Sequence, residues 1–165
     1  MSPPLPPRNI PKLYMYVARD APICAILRRG NRKKEWEWIK WDLATDTFTE
    51  GQWLMGKVIL PALCGIHPDG TQVGYVYYDI RYRDYNKEYL VYSTLPNMTA
   101  DELIHYDHFY YGHPYNREFQ GRKKEGEWID FRGRTITTEG GIVYVNGMEI
   151  YDTRHHRFVA RPPLR

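Results

Sequence analysis

Between Trp36 and Trp53 the chain reads WEWIKWDLATDTFTEGQW, and this stretch limits what the rest can be. Trp36, Trp38 and Trp41 are large and β-prone, while Glu37 and Lys40 are charged. The alternation over Trp36–Ile39 is that of a strand with one buried face. A polar run opens at Asp42. Asp and Thr side chains bond nearby backbone groups, so Asp42, Thr45, Asp46 and Thr47 favour a turn. Phe48 then places an apolar anchor in a short return strand that Gly51 closes. The unit is a strand, an Asp-led turn and an aromatic anchor six positions after the Asp.

The same offset recurs later in the chain. Tyr78-Asp79 is followed by Tyr85, and Tyr151-Asp152 by Phe158, each aromatic again six positions after the Asp. The three Asp positions are separated by 37 and 73 residues, so the longer gap is nearly twice the shorter. Tyr115-Asn116 stands midway along it, although position 122, where the anchor would fall, is Arg. A period of this length implies a repeated supersecondary unit, and the strand-like composition favours four strands over a helix pair.

WDLATDTFTEG resembles the outer-strand turn of kelch and WD-type β-propeller blades. GGIVYVNGMEIYDTRHHRFVARPPLR resembles a kelch repeat, with Gly140-Gly141, Tyr144, Tyr151-Asp152 and Phe158 at its double-glycine, tyrosine and late aromatic positions. Phe158 replaces the usual Trp there. Cys64-Gly65-Ile66-His67-Pro68-Asp69-Gly70 is similar to the turn that TolB-like and WD-like propellers place between blade strands, with His67 in place of Ser. The likeness covers about half of the chain. It implies a mainly β fold of antiparallel hairpins or blades with propeller-like repeats, small, irregular or open, and at most one or two short helices. The chain is also similar to uncharacterised short proteins of bacteria and large DNA viruses, which implies no function.

A length of 165 residues suits one domain that buries about two-thirds of its unfolded surface. The 15 Tyr and 5 Trp predict a core rich in aromatic rings, with phenols reaching its edge. With 23 basic and 20 acidic residues the net charge of +3 is too balanced to signal nucleic acid by itself. Cys24 and Cys64 make no disulfide framework and read as reduced core thiols. No secretory signal and no run of ~18 apolar residues is present, which leads to the expectation of a cytoplasmic protein.

Residues 1–11 form a proline-rich arm, with five prolines between Ser2 and Pro11. The single β-rich domain is expected over residues 12–165, with strands at Leu13–Ala18 and Ile23–Leu27. Arg28–Lys34 reads as a basic hairpin tip around Gly30-Asn31. Arg28, Arg29 and Arg32 here, with Arg81 and Arg83 in IRYRDYNK, are the candidate contacts of a nucleic-acid-binding alternative, in which Arg and Tyr would stack on bases. Asp69-Gly70 and Asn146-Gly147 predict hairpin turns, the second joining Ile142–Val145 to Met148–Tyr151. Trp128–Phe131 and Arg134–Thr137 read as strands.

Thr99 and Glu102 match a capping box, which predicts a short helix over Thr99–His105. The stretch that follows is chemically dense. His105, His108 and His113 are weak candidates for ligating a metal, His105 and His108 sharing a helix face, and they define a metal-dependent enzyme as a second alternative. No Cys is nearby and no H-E-x-x-H spacing exists. Tyr106, Phe109, Tyr110, Tyr111 and Tyr115 are better read as contacts for another protein, because aromatic side chains dominate interface energetics. There is no glycine-rich phosphate loop, no G-x-S-x-G elbow and no interpretable nucleophile–base pair, so no catalytic residue and no cofactor is assigned. The expected function is a non-enzymatic interaction or structural module whose partner is another protein or a second copy of the chain.

Overall fold

The computed structural model describes residues 10–30, 34–78, 88–106, 123–124 and 126–164. They form three antiparallel sheets and one 3-10 turn, Pro61–Leu63. The first sheet contains β1 (Lys12–Val17), β2 (Ile23–Arg29), β3 (Glu35–Asp42) and β4 (Thr47–Met55) in chain order, with β10 (Lys123–Lys124) added beside β1. In the second, β5 (Val58–Ile59) and β6 (Gly65–Ile66) both pair with β7 (Gln72–Tyr78), followed by β8 (Glu88–Thr94) and β9 (Glu102–Tyr106). The third is a meander of β11 (Trp128–Ile129), β12 (Thr135–Glu139), β13 (Ile142–Val145) and β14 (Met148–Asp152). The described strands close into no barrel or propeller.

Two hydrophobic clusters set the order of the layers. Tyr16, Ala25, Leu27, Trp36 and Trp38 of the first sheet pack against Ile59, Ile66, Val73, Tyr75 and Val91 of the second. From the opposite face, Met15, Cys24, Ile26, Ile39 and Trp41 pack against Trp128, Ile136, Val143 and Val145 of the third. The first sheet is therefore the middle layer. A strand covered on both faces needs a continuous apolar run. Ile23–Leu27, ICAIL, supplies one, and Cys24 through Arg28 are all buried. The Trp36–Ile39 alternation thus separates two buried faces, correcting the expectation of one. Trp36 and Trp38 face the second sheet, while Glu37, Ile39 and Trp41 face the third or the segment beyond it.

Aromatic rings bridge the layers. Tyr16, Trp38 and Tyr75 join the first and second sheets through edge and tilted contacts of 5.9 and 6.3 Å. The Tyr16 and Tyr75 hydroxyls donate to the carbonyls of Pro61 and Met98, both at 2.6 Å. Such pairing lets a phenol be buried without an orphaned hydroxyl. Cys24 and Cys64 are not joined by a disulfide; Cys24 is buried and Cys64 half-buried.

The Asp42 turn forms as its residues dictate. Oδ1 of Asp42 accepts from the amides of Ala44 and Thr45, and Asp46 adopts φ 54° to bring the chain back into β4. Asn146 and Gly147 both have positive φ, 51° and 80°, as the expected two-residue hairpin requires. Asp152 also caps a turn, accepting from the Arg154 amide at 2.9 Å. There the likeness to the first unit ends. The chain continues from Asp152 as an irregular segment, and Phe158 is 54% exposed. Asp79 and Tyr85 lie outside the described residues, as do Tyr115 and Asn116.

Thr99–His105 is not a helix. Glu102–Tyr106 forms β9 and pairs with Glu88–Tyr92. The capping residue has another partner, because Oε1 of Gln52 accepts from the Met98 amide, the Thr99 amide and the Thr99 hydroxyl. Gln52 is positioned by an irregularity between β3 and β4, where Glu37 faces Trp53 but Ile39 faces Glu50. Gly51 permits this corner: a Cβ there would stand 1.9 Å from the Pro96 carbonyl oxygen. No helix among the described residues is long and apolar enough to cross a membrane.

Candidate functional site

Three turns meet at one end of the layered structure. They are residues 18–22 between β1 and β2, residues 43–46 between β3 and β4, and residues 130–134 between β11 and β12. Asp130-Phe131-Arg132-Gly133 has Asp at the first and Gly at the fourth position of a turn, the composition a type I turn favours. Gly133 donates its amide to the Asp130 carbonyl at 3.0 Å. Asp130 is buried, and its Oδ1 accepts from the amides of Arg132 and Arg134 at 3.0 and 2.9 Å.

Arg134 joins this turn to the middle sheet. Its Nε donates to Asp130 Oδ2 at 2.9 Å, and its two terminal nitrogens reach Asp46 at 2.6 and 3.0 Å. A planar guanidinium can serve two carboxylates in this way, whereas an ammonium offers no fork. Trp41 Nε1 also donates to Asp46 at 3.1 Å, and Arg132 reaches the Leu43 carbonyl at 3.2 Å. The Arg134 hydrogen bond, chief among these effects, holds the Asp46 carboxyl below its ordinary value.

Beside this knot lies a hollow of about 320 Å³ lined by Val17, Ala18, Ala21, Pro22 and Leu43, with Phe131 on its wall. Its other turn is equally fixed. Leu43 donates to the Pro22 carbonyl and Asp20 to the Pro68 carbonyl, both at 2.8 Å. Arg19 and Asp20 pair at the rim at 3.0 Å and remain in solvent, and the Arg19 hydrogen bond lowers the Asp20 carboxyl from its ordinary value. Phe131 is 63% exposed and Ile129, two residues before it, 59%. An apolar concavity of this size, held by rigid turns and rimmed by ions, can receive an apolar side chain from another molecule.

None of the residues expected to bind a partner lines this hollow. Tyr106 ends β9, and Phe109, Tyr110, Tyr111 and Tyr115 lie outside the described residues. His105 is in β9, so the shared helix face expected for His105 and His108 does not form; His108 and His113 are outside the described residues. Among the described residues no His, Cys, Asp and Glu side chains converge as a metal site. Of the basic candidates, Arg32, Arg81 and Arg83 are outside the described residues. Arg28 and Arg29 belong to β2 rather than a hairpin tip. Arg28 has no solvent exposure because its alternation in the strand turns it inward toward Glu37, which removes it as a phosphate contact. Phe131 was legible in the Asp-x-x-Gly turn signature, but the apolar run Trp128–Phe131 suggests a strand through it.

The chain matches no protein-family model, no curated protein and no solved structure.

Proposed function

We propose that this protein is a non-enzymatic interaction module that presents its turn end to another protein. The observation supporting it is the fixed exposure of Phe131 beside the apolar hollow. An exposed aromatic side chain on a mobile loop must be ordered on binding, at a cost of about 0.5–1.5 kcal/mol for the side chain alone. Here Asp130, Arg132 and Arg134 hold the backbone on both sides of Phe131. Rigid aromatic anchors next to a pocket, surrounded by polar groups, are the arrangement in which interface energy concentrates. Arg19 and Asp20 supply both signs of charge at the rim, which favours a polypeptide of mixed charge over a polyanion.

The test is a photoreactive phenylalanine analogue at position 131, with the same analogue at exposed Glu139 as the control, expressed in the native source. Cross-linking to a protein from position 131 and not from 139 is expected. Phe131→Ala should then weaken the affinity of the purified partner at least tenfold without shifting the melting temperature. Equal cross-linking from both positions, or capture of nucleic acid in place of protein, removes the proposal.

A further inference from the structure

Beyond β14 the chain runs from Thr153 to Leu164 across the edge strand β4 toward Asn97. Its start is fixed, since Thr153 donates its amide and its hydroxyl to the Gly141 carbonyl at 3.0 and 2.6 Å. Its continuation is held differently. Among the described residues, no backbone-to-backbone hydrogen bond ties residues 157–164 to a strand.

Side chains make the attachment. The His156 ring lies between two carboxylates, with Nδ1 against Glu37 and Nε2 2.6 Å from Glu50. Tyr151 extends its hydroxyl to Glu50 at 3.2 Å. Phe158 meets the Trp53 ring edge-on at 6.3 Å. Arg161 reaches Glu50 at 2.9 Å and the Gly51 carbonyl at 3.2 Å. Two amide side chains then read the backbone: Gln52 donates to the Arg161 carbonyl at 3.0 Å, and Asn97 exchanges hydrogen bonds with Leu164 at 3.0 and 3.3 Å.

The receiving surface is built for a cation. Glu37 is fully buried, and Arg28, its cross-strand neighbour, is 3.9 Å away with its guanidinium 5.6 Å from the Trp53 ring centre. Oε2 of Glu37 has no hydrogen-bond partner among the described residues. A buried carboxylate is costly unless paired and hydrogen-bonded. Part of what compensates Glu37 therefore comes from outside the sheets, on the His156 ring.

We propose that Glu37, Glu50, Gln52, Trp53 and Asn97 form a binding groove for an extended cationic peptide, and that residues 156–164 are its intramolecular occupant. The recognition pattern is His, an aromatic residue two positions on and Arg three positions after that. A peptide carrying this pattern displaces the chain's own segment. The groove lies on the β4 edge, apart from the Phe131 hollow, and is independent of the function proposed for that end.

The test uses the full chain carrying His156→Ala and Arg161→Ala, titrated with a fluorescent peptide of residues 154–165 and followed by anisotropy. Saturable binding at least tenfold tighter than to the parent chain is expected. Replacing His, Phe and Arg of the peptide by Ala should abolish it, and adding Glu50→Gln to the protein should weaken it at least tenfold. Absence of saturable binding to a folded variant overturns the proposal. Should the variant not fold, hydrogen exchange on the parent chain decides. Excess peptide should accelerate exchange of the Leu164 amide, which donates to Asn97, at least threefold while the amides of β3 stay unchanged; exchange of Leu164 and β3 only through a common opening, unaffected by peptide, overturns it.

Discussion

Phe48 of β4 and Tyr151 of β14 stack face to face, with ring centroids 4.1 Å apart and planes 7° from parallel. Phe48 also stacks on Trp41 at 5.1 Å, and Trp41 meets Trp128 edge-on at 6.3 Å. Four rings thereby connect the middle sheet to the third. A double-mutant cycle on Phe48 and Tyr151 should give a coupling of about 0.5–1.5 kcal/mol, the range for aromatic pairs beyond their area burial. Equilibrium unfolding of the two single variants and the double variant measures it, and additive losses would exclude a direct coupling.

Burial separates two aromatic residues of the Asp-turn units, Trp41 before its Asp and Phe158 after. Trp41 has no exposure, so Trp41→Ala should cost about 3–5 kcal/mol. Phe158 is 54% exposed and meets the Trp53 ring edge-on, so Phe158→Ala should cost no more than about 0.5–1.5 kcal/mol, the range for one aromatic pair. Denaturant midpoints of both variants at unchanged slope provide the comparison.

Much of this fold is written locally. Asn146-Gly147 and Asp42 act on the backbone within a few residues, so their turns follow directly from side-chain chemistry. The Thr99 capping box failed because Gln52, 47 residues earlier, satisfies the Thr99 amide. Arg28 looks like part of a solvated basic run, but its place in β2 opposite Glu37 turns it inward, and only the pairing reveals that. The Phe131 hollow is still less legible. Its walls come from turns far apart in the chain, and although the Asp42 and Asp-x-x-Gly turns each have a local signature, nothing local says that they meet.

Glycine substitutions distinguish close approach from backbone conformation. Gly51→Ala would place a Cβ 1.9 Å from the Pro96 carbonyl, and backbone on both sides leaves little room to shift. It should cost at least the ~1–3 kcal/mol typical of overpacking. Gly133, at φ 76°, has nothing within 4 Å of its Cβ position. Gly133→Ala should therefore cost only the ~1–2 kcal/mol of left-handed backbone strain. Thermal melts of the two variants should show the larger loss for Gly51→Ala.

Acid should loosen the turn end. Asp46 is held below its ordinary value of 3.8, chiefly by the Arg134 hydrogen bond, so the unfolded chain takes up this proton at higher pH than the folded one. The stability Asp46 supplies is complete above the unfolded value and is lost as pH falls through the lower folded value. Asp46→Asn should remove that part of the acid sensitivity. Asp69, lowered by Thr71, and Asp152, lowered by Arg154, keep theirs. Unfolding free energies between pH 2 and pH 7, about the range in which carboxylates titrate, should show a shallower slope for the variant; identical slopes would exclude the linkage.

Because β1 to β4 are completed by Met55 while β5 to β9 and β11 to β14, which cover them, all come later in the chain, a ribosome releases the middle layer first. At ~5–20 residues per second the covering strands follow only seconds later. During that interval both apolar surfaces of a four-stranded sheet are bare. The nascent chain is then the form most in need of a chaperone, and a premature stop after residue 55 yields an aggregation-prone fragment rather than a smaller working version of the protein.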